Sequence, residues 1–460
     1  MFPVNILVLF LLYFLYCIYV YNYNMKNGVG GIDIWRWIKY AIVIKESKII
    51  PKKIDGYLLD APFNYPPIFL ILLSLFPRNV IINFPHVLQL ILFGIEISFV
   101  YLFLWHEELN TNLIFLFLIL GIFRNSYFSS RSLPNLLLTL FFIVLSLNIV
   151  LYYKIVLIFL IFLSIFFSHR HSLQFILFYL IFHSLFFEDI FLIIFLVLFF
   201  ILIVTSDLYR KIFINHISIL NFYRIRLFKD KIDFKNLVFV FGKIFISKFY
   251  YFISFFYFFF YIESSEYEFV SYFLFFAFLI SIVYSTNTFS FLGEPNRNFD
   301  YMNFVFILCL SFFSNWVIFF ISLVFIIIEA AKHFYQRQNR LYDVNLKLDP
   351  AFLKILNESK DDFSFMSFPP IFDDFVSFYF PNSKVLFHDN GVTVNLYPWA
   401  YMSNFSKIVP DAQISEINDK LGKIDYIILF NSSDYDNYCS LSNYFIAFNN
   451  KEFRIYKSIN

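Results

Sequence analysis

A chain of 460 residues with 60% hydrophobic side chains, 73 Phe and a mean hydropathy of +0.70 cannot hide its apolar surface inside a water-soluble globule. A net charge of +2 gives no reason to expect nucleic acid as a partner, and Cys17, Cys309 and Cys439 lie too far apart for a disulfide framework or a zinc pattern. The composition is that of a polytopic membrane protein.

Pro3 to Tyr23 is apolar over about 20 residues without a basic leader, which predicts a retained membrane-spanning anchor. A polar interval follows from Asn24 to Tyr65. Pro66 to Phe76 is apolar but only about 11 residues long, too short for a hydrocarbon core of about 30 Å, and is expected in the interface or re-entering it. Val87 to Trp105 reads as a full span, and Leu113 to Phe123 as a short one. RNSYFSSRSLPN (Arg124 to Asn135) reads as a polar turn opening a helix that reaches Tyr152. Further apolar segments cover Ile155 to Phe167, Leu173 to Phe187 and Phe191 to Val204. Asp207 to Asn236 is a basic loop with interspersed apolar residues, the pattern of an interfacial segment able to gather anionic lipids. Leu237 to Ile262, Phe269 to Tyr284, Phe304 to Phe313 and Val317 to Ile328 complete the apolar series. The aromatic stripes among them are expected to be core or lipid-facing side chains.

From about Leu341 the composition changes. FSFMSF, KVLFH, DYIILF, YFIAFNN and FRIYKS read as strands, with helical patterns at Pro350 to Glu358 and Ile414 to Leu421. The expected fold is an all-α polytopic membrane protein of about 11 spans over residues 1–335, followed by a small C-terminal α/β soluble domain at 341–460. That parity puts the segments beginning at Asn24, Arg124, Ser168, Asp207 and Ser285 on one membrane face with the C-terminal domain. The opposite loops are short and mostly acidic.

Several of the same-face segments carry a recognisable order of features: Asp33 in GIDIWRW soon after the first helix, an IIP break (Ile49 to Pro51), NYPPIF (Asn64 to Phe69), SSRSLPN (Ser129 to Asn135) and GEPNRNFDY (Gly293 to Tyr301). Over about the first 335 residues this order resembles the GT-C class of membrane glycosyltransferases, with mannosyltransferase-like features. Members of that class take a sugar from a polyprenyl- or dolichyl-phosphate carrier. No second acid stands beside Asp33, and no HKExRF-like motif is present. The resemblance implies an inverting transfer of a hexose such as mannose to a lipid, glycan or protein acceptor, with Asp33 as general base. It also implies an extracytoplasmic site and C-terminal domain, whereas the basic loops on that face count toward the cytoplasm by the positive-inside rule.

Such a reaction needs a base, cations for the departing phosphate and an apolar groove for the lipid. Asp33 alone equally suits a helix N-cap, and Asp60 and Asp55 are rivals in the same loop, with Asp55 in an IDG turn. Arg131, Arg170 and Arg297 suit the phosphate because the guanidinium fork donates two parallel hydrogen bonds, although an arginine at a helix end also snorkels to lipid headgroups. His169 and His171 flank Arg170 and are candidates to help bind the donor phosphate or sugar, His169 first, while their i, i+2 spacing does not favour a metal site. Glu294 would orient Arg297 or bind sugar hydroxyls, and Tyr65 and Pro66 would support the loop. No cofactor is called for; a divalent metal is left open. A transporter or flippase of lipid-linked saccharides is the alternative, with His183 as the candidate intramembrane ionisable group, and a membrane scaffold is a third.

Overall fold

The computed structural model describes residues 4–27, 34–58, 63, 65–124, 128–186, 190–227, 234–261, 268–286, 288–289, 292, 298–312, 316–339, 363–368, 373–380, 383–385, 419, 424–430, 443–449 and 453–459. Sixteen helices precede the C-terminal sheet among these residues. They are α1 (Val4–Asn27), α2 (Ile34–Ser47), α3 (Ile68–Ser74), α4 (Arg78–Asn83), α5 (His86–His106), α6 (Ile114–Arg124), α7 (Ser132–Ser146) and α8 (Leu151–Phe166). Then come α9 (Arg170–Ser184), α10 (Ile190–Thr205), α11 (Asp207–Leu227), α12 (Phe234–Ser247), α13 (Phe249–Tyr261), α14 (Glu268–Ser285), α15 (Asn303–Ser311) and α16 (Trp316–Asn339). Ile6–Met25 and His86–His106 are long and apolar enough to cross a membrane, and the bent pair α10 and α11 makes a third if taken as one span. The remaining apolar helices named for the expected spans run 10–17 residues among the described residues, so the expected set of about 11 appears as two or three full-length spans and a group of shorter helices.

Three boundaries differ from the sequence expectation for local physical reasons. α7 stops at Ser146, whose hydroxyl bonds back to the Phe142 carbonyl, and Leu147 and Val150 are extended before α8. The continuous apolar run from Leu237 breaks at Lys248, which leaves the helix to pair with Glu329 of α16 at 2.6 Å. Asp207 to Leu227 is a helix and not a loop: Ser206 Oγ accepts the Tyr209 N–H at 3.1 Å as an N-cap, and Asp207 sits in the first turn. Hydrogen bonds from Lys211 and then Arg210 hold the Asp207 carboxyl below its ordinary range. The two axes meet at 107°, which lays α11 along the membrane face if α10 crosses it.

Aromatic side chains interlock the helices. Phe142 and Phe273 meet edge to face at 4.3 Å, Tyr179 and Phe273 at 4.8 Å, and Phe162 and Phe195 at 5.2 Å. The intramembrane ionisable inventory needs one correction. Glu96, in the middle of α5, is almost fully buried and accepts a hydrogen bond from Thr139 Oγ1 at 2.8 Å, so His183 is not the sole such group.

The C-terminal sheet has strands β1 (Ser364–Phe368), β2 (Lys384–Val385), β3 (Tyr426–Phe430), β4 (Tyr444–Asn449) and β5 (Phe453–Ser458), in the order β2-β1-β3-β5-β4. β1 is parallel to β2 and β3, and β5 is antiparallel to β3 and β4. A helix the sequence reading missed, α17 (Asp373–Tyr379), lies between β1 and β2; its Asp373 accepts from Ser367 Oγ at 2.5 Å. The helical patterns at Pro350 to Glu358 and Ile414 to Leu421 fall outside the described residues, apart from residue 419.

This domain grips the first loop. Trp35 of α2 packs on Phe378 and Tyr379 at 5.5 and 5.3 Å, and burial raises the Tyr379 phenol above its ordinary range. Leu58 N donates to the Val385 carbonyl at 2.8 Å and Val385 N to the Gly56 carbonyl at 3.1 Å, so the loop adds a strand-like rung to the β2 edge. Gly56 sits at φ +87°, and a Cβ there would press on Lys39 Nζ at 2.8 Å. Lys39 is buried, donates to the Asp55 carbonyl at 2.5 Å and to Ser377 Oγ, and lies 4.6 Å from the Tyr57 ring centroid. α2 is thus held against the C-terminal domain through Trp35 and Lys39. Lys39→Met keeps the apolar stem and removes these bonds; it is expected to lower thermal stability by about 1–3 kcal/mol and to hasten protease cleavage between the domains. Unchanged melting and cleavage would show that the lysine does not tie the domains together.

Candidate functional site

Tyr65, Pro66 and Pro67 open α3. Fixed proline φ angles suit a helix start, and the Ile68 N–H that α3 leaves unsatisfied donates to the Phe167 carbonyl at the end of α8, at 3.1 Å. That bond holds the α3 start beside the α8–α9 turn. The Tyr65 hydroxyl and Ser130 Oγ lie 2.6 Å apart, and the Tyr65 ring packs on Trp37 of α2 at 6.2 Å. Phe128 fills the space between Trp37, Phe69 and His86.

The α7 start is built by serines. Ser129 N donates to the buried Gln89 side chain at 3.0 Å, while Ser129 Oγ accepts from Arg131 N at 3.1 Å. The Arg131 side chain makes no cap bond and turns toward Asp300, in a short 3-10 turn (Asp300–Met302) that leads into α15. Arg131 Nη1 and Asp300 Oδ2 are 3.8 Å apart, with both side chains about one-third exposed. This is longer than a charge-assisted hydrogen bond of about 2.8 Å, and screening limits such a pair to about 1 kcal/mol or less.

His169 is extended and buried at the N-cap of α9, and its carbonyl accepts from Leu173 N and Ser172 Oγ. Arg170 is the first helical residue. Its guanidinium carbon stands 5.7 Å from the Tyr65 ring centroid, and its Nη1 is buried without a hydrogen-bond partner among the described residues. One turn on, Gln174 donates to Tyr284 Oη at 2.9 Å and to the Leu292 carbonyl at 3.1 Å, while its amide oxygen lies 3.3 Å from His216 Nε2. An amide oxygen only accepts, so His216 donates from Nε2. Burial first, and the Arg170 charge second, push His216 down to about 3, which leaves Arg170 as the cation of this corner.

Tyr65 therefore touches both arginine-bearing turns, through Ser130 on one side and Arg170 on the other. Two further buried atoms lack a partner among the described residues: Asn135 Oδ1, one turn into α7 from Arg131, and Asn298 Nδ2, two residues before Asp300. Such a collection of polar atoms at the ends of apolar helices is suited to an anionic, hydroxyl-bearing ligand. Asp33, Asp60, Glu294 and Arg297 lie outside the described residues; α2 begins at Ile34, directly after Asp33. Sequence reasoning overlooked Asp300, Gln174 and Ser130. Asp300 was signalled by an acid just ahead of an apolar helix in NRNFDY. Among the described residues no group of three or more His, Cys, Asp or Glu side chains is placed to hold a metal ion.

The described fold is a set of apolar helices, two of them long and apolar enough to cross a membrane, followed by a five-stranded mixed sheet. It matches that of ArnT from Cupriavidus metallidurans. The crystal structure of ArnT bound to undecaprenyl phosphate aligns with a TM-score of 0.61 at 9% identity, covering 99% of this chain and 98% of that one. Its apo structure aligns with a TM-score of 0.56 at 9% identity, covering 98% and 97%. At that identity the likeness is one of fold. No family model matches the sequence, and no curated protein does.

Proposed function

We propose that the protein is an inverting GT-C-type glycosyltransferase that moves a hexose, such as mannose, from a polyprenyl-phosphate carrier to a lipid, glycan or protein acceptor on the extracytoplasmic face. The observation that carries this reading is the Arg170 guanidinium, held over Tyr65 with a buried, unpartnered Nη1, beside the turn whose Arg131 is only loosely paired. The fold in which it stands is shared with a protein crystallised with undecaprenyl phosphate.

In the proposed reaction Asp33 takes the proton of the acceptor hydroxyl, whose oxygen attacks the anomeric carbon. The bond from that carbon to the phosphate oxygen breaks, and its electron pair stays on the phosphate. The leaving group thereby passes from a singly charged diester to a doubly charged monoester. Arg131 and Arg170, with Arg297 oriented by Glu294, are assigned to that growing charge, because fixed donors aimed at developing charge stabilise the transition state more than the ground state. His169 positions the α9 start that carries Arg170, and Tyr65 with Pro66 fixes the loop on which Asp60 also lies.

A flippase of lipid-linked saccharides gains one observation, the buried Glu96 within α5, since intramembrane carboxylates often mark transport paths. Proteoliposomes loaded with sugar-labelled polyprenyl-phosphate hexose and host membrane acceptors separate the two. Transfer predicts that label leaves the lipid for an acceptor. Label that crosses the bilayer still attached to its original lipid would support translocation and refute transfer.

A further inference from the structure

The Arg131–Asp300 pair has an unusual disposition for a phosphate-binding arginine. Asp300 places a negative charge beside the guanidinium without engaging it in a close bidentate bond, and both side chains stay about one-third open. A carboxylate there weakens any anion that Arg131 receives. Its effect scales with the charge of that anion, and the reaction changes that charge. The donor phosphodiester carries one negative charge, whereas the product, a phosphate monoester with a second pKa of about 6, carries nearly two at neutral pH and above. The second charge appears when the electron pair of the broken carbon–oxygen bond is left on the phosphate, the acceptor proton having gone to the base.

We infer that Asp300 is a product-release residue: from beside Arg131 it repels the doubly charged polyprenyl phosphate more than the singly charged donor, and so favours ejection of the spent carrier. The inference rests on the reading that Arg131 receives the lipid phosphate. It separates two roles at the site: Arg131 and Arg170 attract the growing charge, and Asp300 limits how tightly the final dianion is retained. Without Asp300, the two arginines that stabilise the leaving phosphate would also hold the spent product. Unit charges a few ångströms apart in a half-screened site change affinity about three- to tenfold.

The test uses the full-length purified protein and two probes that differ by one charge, undecaprenyl phosphate and its methyl phosphodiester, with dissociation constants measured at about pH 8. Asp300→Asn is expected to tighten binding of both probes, and that of the monoester about three- to tenfold more than that of the diester, because the second charge adds one further unit-charge repulsion. Asp300→Glu, which keeps the charge, is expected to bind both probes as the native protein does. Equal changes for the two probes in Asp300→Asn, no change, or weaker monoester binding would overturn the inference. Arg131→Ala separates this from the functional reading. If it weakens both probes, the phosphate is at Arg131 and the Asp300 result decides the inference alone; if it leaves both unchanged, the assignment of the phosphate to Arg131 fails and the inference with it.

Discussion

Asp33→Asn is expected to lower sugar transfer by about 10²- to 10⁴-fold while affinity for the polyprenyl-phosphate donor is retained. The substitution is chosen because it divides the two roles open to this residue. Asn caps a helix N-terminus about as well as Asp, so a residue that serves only to start α2 at Ile34 loses little by the change. A general base loses its function, since an amide cannot take the acceptor proton at neutral pH. Single-turnover transfer from a labelled donor, with donor binding measured in parallel, reads both quantities. Native turnover in the variant would remove Asp33 from the chemistry and leave it as a cap.

Arg170→Gln is expected to cost about 10²- to 10³-fold in turnover, the loss that follows removal of one fixed donor from a developing oxyanion. Arg170→Lys sharpens this result. The Arg170 guanidinium lies over the Tyr65 ring, 5.7 Å from its centroid, and shares its corner with the neutral His216 ring. An ammonium keeps the charge but has neither the planar fork nor the stacking face, so Lys is expected to restore only part of the activity. An arginine that merely reaches lipid headgroups from a helix end would be replaced by Lys without loss. Full rescue by Lys would therefore contradict a directional role in phosphate recognition.

The parts of the fold that could be read in the sequence were those decided by local apolar length. α1 and α5 follow from uninterrupted runs long enough to cross a bilayer, and the strands from Ser364 onward follow from short β-rich runs between turn residues. The parts that could not be read depend on partners distant in the sequence. α2 looks amphipathic by itself, yet its Trp35 face is covered by Phe378 and Tyr379, more than 300 positions away. The break at Lys248 coincides with its ion pair to Glu329 on another helix, a partner that the sequence around Lys248 does not name. The α11 start was available from its Ser206–Asp207 cap, but the density of charge suggested a loop.

At the candidate site the resemblance in motif order points to Arg131 and Tyr65, and the need for cations at a leaving phosphate points to Arg170; the structure brings their turns together through Ser130 and the Tyr65 ring. Asp300 escaped notice because the acid and base of GEPNR drew attention away from the acid three residues after them. Gln174 escaped for a different reason. A lone Gln in an apolar helix carries no motif, and its importance comes only from where Tyr284, Leu292 and His216 meet it.

The proposed site is composite, and its parts must open to one membrane face. Single cysteines at positions 33, 131 and 297 of a variant lacking Cys17, Cys309 and Cys439, probed with a membrane-impermeant maleimide on oriented vesicles, measure this directly. Labelling of all three from the same side, with protection by added undecaprenyl phosphate, is the predicted result; labelling split between the two sides would contradict a single glycosyl-transfer site.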